Sequence, residues 1–184
     1  MRKFAVTGLV FALLASAALL RAQPPEMPKP QKEHEWLQQL VGEWDYNAEA
    51  TMAPGEPPMK CSGTEKIRML GGFWLISEGT IESMGTSNRT MMTLGYDPEK
   101  KKYIGTWIDS MTNHMWIYEG TLDPTGRILT LEAEGPNFTT PGETSTFRDV
   151  IEIKSRDHKV LTSSVQTDEG EWVTFMRGEY RRTK

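Results

Sequence analysis

The sequence predicts an all-β domain: an antiparallel up-and-down barrel of about ten strands, with one short helix ahead of it. Three observations carry this. Apolar and polar residues alternate with period two in many short runs, tight-turn residues separate those runs, and no long helical periodicity lies between them.

A chain of 184 residues suits one domain with its own core. Met1, Arg2 and Lys3 precede an apolar run from Phe4 to Leu20, and Leu20-Arg21-Ala22-Gln23 supplies a cleavage region. Residues 1–22 therefore read as an export signal and the protein as periplasmic or secreted. An uncleaved anchor is the alternative, because a run of about 17 residues touches the lower limit of a bilayer span. Cys61, the one cysteine, lies far from the signal, cannot make an internal disulfide, and reads as packing. No second hydrophobic run follows, so no stable membrane insertion is expected once the signal is removed. Three of the 21 basic residues (Arg2, Lys3 and Arg21) fall in the leader, which leaves 18 against 25 acidic ones, a formal charge of −7. Such a surface repels phosphate, and nucleic acid is not expected as a partner.

Residues 23–30 include Pro24, Pro25, Pro28 and Pro30 and read as an extended tether, so the folded unit is expected over 31–184. From Gln31 to Val41, Trp36, Leu37, Leu40 and Val41 recur at helical spacing, and Gly42 stands where that helix should stop. Trp44, Tyr46, Ala48, Ala50 and Met52 then alternate with polar residues, which predicts a first strand with one buried face. Beyond Pro54, Pro57 and Pro58, the run Lys60 to Leu70 places Gly63, Ile67 and Met69 inside, together with one carboxylate, Glu65. Eight more strands are expected over 73–82, 90–96, 102–109, 115–122, 128–134, 146–154, 160–167 and 171–182. Asp97-Pro98-Glu99-Lys100, Asp123-Pro124-Thr125-Gly126, Asp157-His158 and Asp168-Glu169-Gly170 supply the reversals. A closed sheet of this size holds a cavity unless bulky side chains fill it.

Four motifs in order, Leu70-Gly71-Gly72-Phe73, Leu94-Gly95-Tyr96-Asp97, Thr106-Trp107-Ile108-Asp109-Ser110 and Tyr180-Arg181-Arg182, follow a Gly42-Glu43-Trp44 start. Over residues 31–184 this series resembles the DUF1579 family of unknown function, which we expect to comprise small exported bacterial proteins, and the Gly-x-Trp start resembles a calycin or lipocalin-like barrel. The resemblance implies the fold and brings no catalytic residues. It also implies a closure device, an arginine of the last strand resting on the tryptophan of the first. Trp44 is then structural and Arg182 is the candidate arginine, sharing parity with Trp172, Thr174, Met176, Gly178 and Tyr180, whereas Arg177 and Arg181 lie on the other face.

His34, His114 and His158 are scattered without ligand spacing, so no metal site is expected, and His158 reads as a solvated turn residue. Haem would need an axial ligand inside the barrel. The last strand has no histidine and Met176 reads as a core filler, so no cofactor is expected. There is no Gly-x-Ser-x-Gly elbow. A hydrolase-like reading rests on Asp109, Ser110 and His114 alone, whose spacing is ordinary turn chemistry, and it ranks last.

Polar residues where alternation predicts the interior are more informative: Glu65, Glu119 beside Met115 and Ile117, and either Arg148 or Asp149. Glu65 or Glu119 with Arg148 would form an internal ion pair or ligand anchor, unless a bulge turns these groups outward. Met69, Met91 or Met92, Met115 and Met176, with Trp107, Trp116 and Phe147, either line a deformable cavity or fill the core. The leading expectation is a non-enzymatic barrel that binds a small apolar ligand, with Glu65, Trp107, Asp109, Glu119, Arg148 and Met176 at the site. The alternative is an envelope module acting through its outer faces.

Overall fold

The computed structural model describes residues 26–51 and 57–184. The leader, the first residues of the tether and Met52 lie outside these. A short helix α1 (Lys32–Leu37) runs into a 3₁₀ turn (Gln38–Leu40), and ten strands follow: β1 (Gly42–Ala50), β2 (Met59–Leu70), β3 (Trp74–Ser83), β4 (Thr86–Asp97), β5 (Lys102–Asp109), β6 (Trp116–Leu122), β7 (Ile128–Pro136), β8 (Thr144–Ser155), β9 (His158–Gln166) and β10 (Trp172–Arg182). Each strand pairs antiparallel with its sequence neighbours, and β1 closes on β10 from Trp44 opposite Arg182 to Ala50 opposite Met176. The expected all-β barrel with its N-terminal helix is the observed fold. Among the described residues no helix is long and apolar enough to cross a membrane.

The helix corks one end. Trp36, Leu37 and Leu40 join Trp44, Ile67, Leu75, Leu94, Tyr103, Leu129 and Leu131 in one buried cluster, and full burial of each large side chain contributes about 1.5–3 kcal/mol. Trp44 Nε1 donates to the Leu40 carbonyl at 2.9 Å, and Trp36 Nε1 donates to the Gly126 carbonyl at 2.8 Å. The Arg182 guanidinium lies 4.1 Å from the centre of the Trp44 ring. It also donates to the carbonyls of Val41, Gln39 and Arg156, so the last strand ties down both the helix exit and the turn between β8 and β9. Arg182 and Trp44 therefore form the expected closure. The parity of β10, however, breaks at a bulge between Thr174 and Met176. Thr174 bonds Ser164 on the outer face and Trp172 meets Arg148 there, while Met176 and Tyr180 point inward.

Complementary sizes decide which face of β6 is inside. Gly105 sits opposite Tyr118 and Gly120 opposite Tyr103, so each tyrosine shares its face with a glycine of the paired strand. Trp116 lies against Gly135, where a Cβ would come within 2.2 Å of the indole. Turning Trp116 and Tyr118 inward puts Met115 and Ile117 outside, 53% and 66% exposed, and corrects the expectation for both. Glu119 follows them to the outer surface and pairs with Lys100 at 2.6 Å.

In β8, Phe147, Ile151 and Ile153 share a parity that turns Asp149 inward and Arg148 outward. There Arg148 pairs with Glu132 at 2.7 Å and lies 3.6 Å over the Trp172 ring. β3 and β4 run further than expected because Met84 and Gly85, both at positive φ, form a two-residue hairpin turn between Ser83 and Thr86. His158 is not a solvated turn residue: it opens β9, is half-buried, and its Nε2 lies 2.5 Å from Glu179 Oε2.

Trp44→Ala should cost about 3–5 kcal/mol in urea unfolding, as expected when a buried tryptophan is truncated. Ile117→Ser on the outer face of β6 should change stability by no more than about 0.5 kcal/mol. The opposite ranking would mean that the inner face of the barrel has been misplaced.

Candidate ligand-binding cavity

The apolar cluster fills the end beneath the helix, and the rest of the interior is hollow. A cavity of about 880 Å³ extends towards the opposite end, where the loops 110–115, 137–143 and 167–171 form a mouth. Its volume falls in the range of roughly 300–1,000 Å³ that receives drug-sized molecules.

The outer half of the wall is aromatic and sulfur-rich. Trp107 on β5 and Trp116 on β6 face inward with Met59, Met92 and Met176. Phe147 packs edge-on against Trp116 at 4.7 Å between centroids, and Phe138 from the loop after β7 lies 4.9 Å from Phe147 and 5.8 Å from Phe175. Phe138 is 59% exposed, an aromatic rim beside the opening. Cys61 is half-buried on the same wall.

The floor is polar. Glu65 on β2 accepts from Lys159 Nζ at 2.5 Å and from Ser77 Oγ at 2.7 Å. The Lys159 ammonium also lies 4.8 Å from the centre of the Trp44 ring and 4.7 Å from that of Tyr180, so aromatic faces share its charge. Tyr180 stacks on Tyr46 at 4.6 Å, and Tyr46 donates to the Thr80 carbonyl at 2.9 Å. Gly63 makes room for that ring, since a Cβ there would meet the Tyr46 hydroxyl at 2.6 Å and the Thr80 carbonyl at 1.9 Å.

A second polar group sits on the opposite wall. Asp149 accepts from the Tyr118 hydroxyl through Oδ2 and from the Ser163 hydroxyl through Oδ1, both at 2.5 Å. Burial pushes the Asp149 carboxyl above its ordinary value even though both hydroxyls favour its ionised form. Burial, with the neighbouring Asp149 charge, also raises the Tyr118 phenol well above its ordinary value, and burial does the same to Tyr180. Both phenols therefore remain proton donors at physiological pH.

The expected site residues divide between these regions. Glu65, Trp107, Asp109 and Met176 line the cavity; Glu119 and Arg148 are on the outer surface, and Asp149 stands inside where Arg148 was expected. Asp109 is at the rim, where its Oδ1 accepts from the backbone of Met111 and Thr112 and so shapes its own loop. His114 instead contacts the Glu134 carbonyl at 3.3 Å, while Ser110 accepts from the Arg89 amide, so the grouping behind the hydrolase reading does not assemble. Among the described residues no three His, Cys, Asp or Glu side chains converge as a metal site.

Lys159, Tyr118, Ser163, Phe138 and Phe175 were missed. The signal for two of them was present: alternation continued backward from Leu161 and Ser163 reaches Lys159, an inward cation available to Glu65. Phe138, on a loop, carries no such periodic signal.

Comparison with known proteins places these features in a known architecture. The model of the family described as "Protein of unknown function (DUF1579)" matches residues 29–182. No curated protein matches. Rv2717c from M. tuberculosis has a similar structure, with a TM-score of 0.62 and 13% identity, covering 85% of this chain and 100% of its own. The S-type phycobiliprotein lyase CPES from Guillardia theta is also similar, with a TM-score of 0.55 and 15% identity, covering 84% of this chain and 99% of its own. At these identities the likeness is one of fold.

Two substitutions test the floor. Lys159→Met leaves the Glu65 charge without its partner and should cost about 3–5 kcal/mol in chemical unfolding, most of it recovered in the double variant with Glu65→Leu. Asp149→Asn should gain on the wild type as the pH rises. A carboxyl whose value is raised on folding contributes stability that is complete below the unfolded value, 3.8, and lost as the pH rises through the raised one. Thermal unfolding of both proteins from about pH 3 to pH 8 checks this, and a constant gap would show that Asp149 titrates as an ordinary carboxyl.

Proposed function

The chain belongs to the DUF1579 family of unknown function, and from that premise we propose that it is a non-enzymatic binding protein that takes a small, largely apolar molecule through the open mouth of the barrel. The observation that carries this reading is the cavity of about 880 Å³, with its aromatic and methionine wall above a polar floor. Burying an apolar body there gains the hydrophobic free energy that the hollow interior forgoes, and a few polar groups at depth set its orientation. Methionine walls adapt to ligands of different shape. The likeness to a phycobiliprotein lyase is one of fold and brings no task to this chain, so the reading rests on the cavity and not on the fold.

A second reading has its own support. Met91 and Ile108 are register partners on β4 and β5 and are 40% and 43% exposed, with Ile117 on the adjoining strand. This apolar outer patch would suit an envelope interaction module. Export belongs to both readings, on the strength of the signal-like order of residues 1–22.

Native mass spectrometry of the full-length gene product, purified from the compartment where it accumulates, separates the two. A binding barrel should show a mature chain beginning at Gln23 and carrying additional non-covalent mass, whereas an interaction module should show the bare chain or a protein complex. As a direct check, the neutral fluorophore N-phenyl-1-naphthylamine should bind with a rise in emission. Ala50→Trp, which fills the cavity, should weaken that binding by at least about tenfold, the equivalent of losing about 1.4 kcal/mol.

A further inference from the structure

We propose that the ligand is a lipophilic cation, an apolar body bearing a protonated amine or a related cationic nitrogen, and that this nitrogen sits on the carboxylate of Asp149. The proposal rests on the cavity-binding reading above and assigns its ligand class.

The charges lining the cavity are one-sided. Among the described residues, Glu65, Asp109, Asp149, Asp168 and Glu169 contribute carboxylates, and Lys159 contributes the one ammonium. That ammonium is already committed: it donates to Glu65 and lies against the rings of Trp44 and Tyr180. An anionic ligand would therefore enter a field of the wrong sign and find, among the described residues lining the cavity, no cation free to meet it.

Asp149 is differently placed. Among the described residues it has no ion-pair partner, and its two observed bonds come from the neutral hydroxyls of Tyr118 and Ser163. An ionised carboxylate has about four acceptor positions, so about two remain for a donor arriving from the cavity. Ser163 and Lys159 are four residues apart on β9, about 13 Å along a strand, so the lysine is anchored well away from this carboxylate. Because both hydroxyls donate to Asp149, what these two groups offer the cavity is lone pairs.

The surrounding rings complete the match. Trp107, Trp116, Phe147 and Tyr118 line the same space, and their faces attract a cation as well as an apolar body. A charge-assisted bond between a ligand nitrogen and Asp149 would also supply the counter-ion that this buried carboxylate lacks.

The test uses one chain length and three head groups below their aggregation concentrations: dodecylammonium, dodecanol and dodecanoate. Each displaces N-phenyl-1-naphthylamine from the mature protein at pH 7. Dodecylammonium should bind at least about tenfold more tightly than dodecanol, as one charge-assisted hydrogen bond warrants, with dodecanoate weakest. Asp149→Asn should collapse the ratio between ammonium and alcohol, while Glu132→Gln on the outer surface should preserve it. Dodecanoate binding as tightly as dodecylammonium, or an unchanged ratio in Asp149→Asn, would overturn the charge assignment and leave cavity binding standing. Failure of the fluorophore and of all three probes to bind would overturn both. The head-group series on the wild type is decisive by itself should the Asp149 variant not fold.

Discussion

Trp44 organises the closed end of the barrel, with the Arg182 guanidinium and the Lys159 ammonium both within 5 Å of its ring centre and its indole nitrogen bonded to the Leu40 carbonyl. These contacts join the helix exit, the first strand and the last strand at the seam where the sheet closes on itself. Closure removes the two edges that an open ten-stranded sheet would expose. It also gives the apolar residues of the helix a surface to cover, so one end of the barrel acquires a solid core.

A core concentrated at one end permits the other to be hollow. Between them lies a layer of buried charge and hydroxyls that hydrophobic burial alone would not favour. Glu65 and Lys159 satisfy one another, and the aromatic rings of Trp44 and Tyr180 take up the remaining donor faces of the lysine. Among the described residues, every buried side-chain nitrogen and oxygen has a hydrogen-bond partner. The floor is thus a completed network and holds its geometry without any further group. Asp149 is satisfied as well, but only by neutral donors, and this makes it the part of the floor most responsive to a charge placed in the cavity.

The outer surface shows the same economy of pairing at lower stakes. Lys100 with Glu119 and Arg148 with Glu132 are exposed pairs, of the kind that contributes little to stability. Arg148 gains more from the face of Trp172, which reaches the outside only because the bulge in β10 reverses its parity. The bulge therefore changes face along one strand: Met176, Tyr180 and Arg182 stay on the inner side, and Trp172 becomes an aromatic platform on the outer one.

The sequence by itself determined the strand count, the leading helix and the inward carboxylate of Glu65, because these follow from period-two alternation, helical spacing and local turn chemistry; the Trp44 and Arg182 closure came from the resemblance to calycin-like barrels. Tertiary structure decided what alternation leaves ambiguous. Glu119 and Asp149 each sit in a strand whose two faces both carry apolar residues, so the choice of inner face fell to neighbours distant in sequence: Gly105 opposite Tyr118, and Gly135 beneath Trp116. Lys159 found its carboxylate 94 residues away. Pairings of this kind depend on register around a closed sheet, a constraint met by all ten strands together and written in none of them alone.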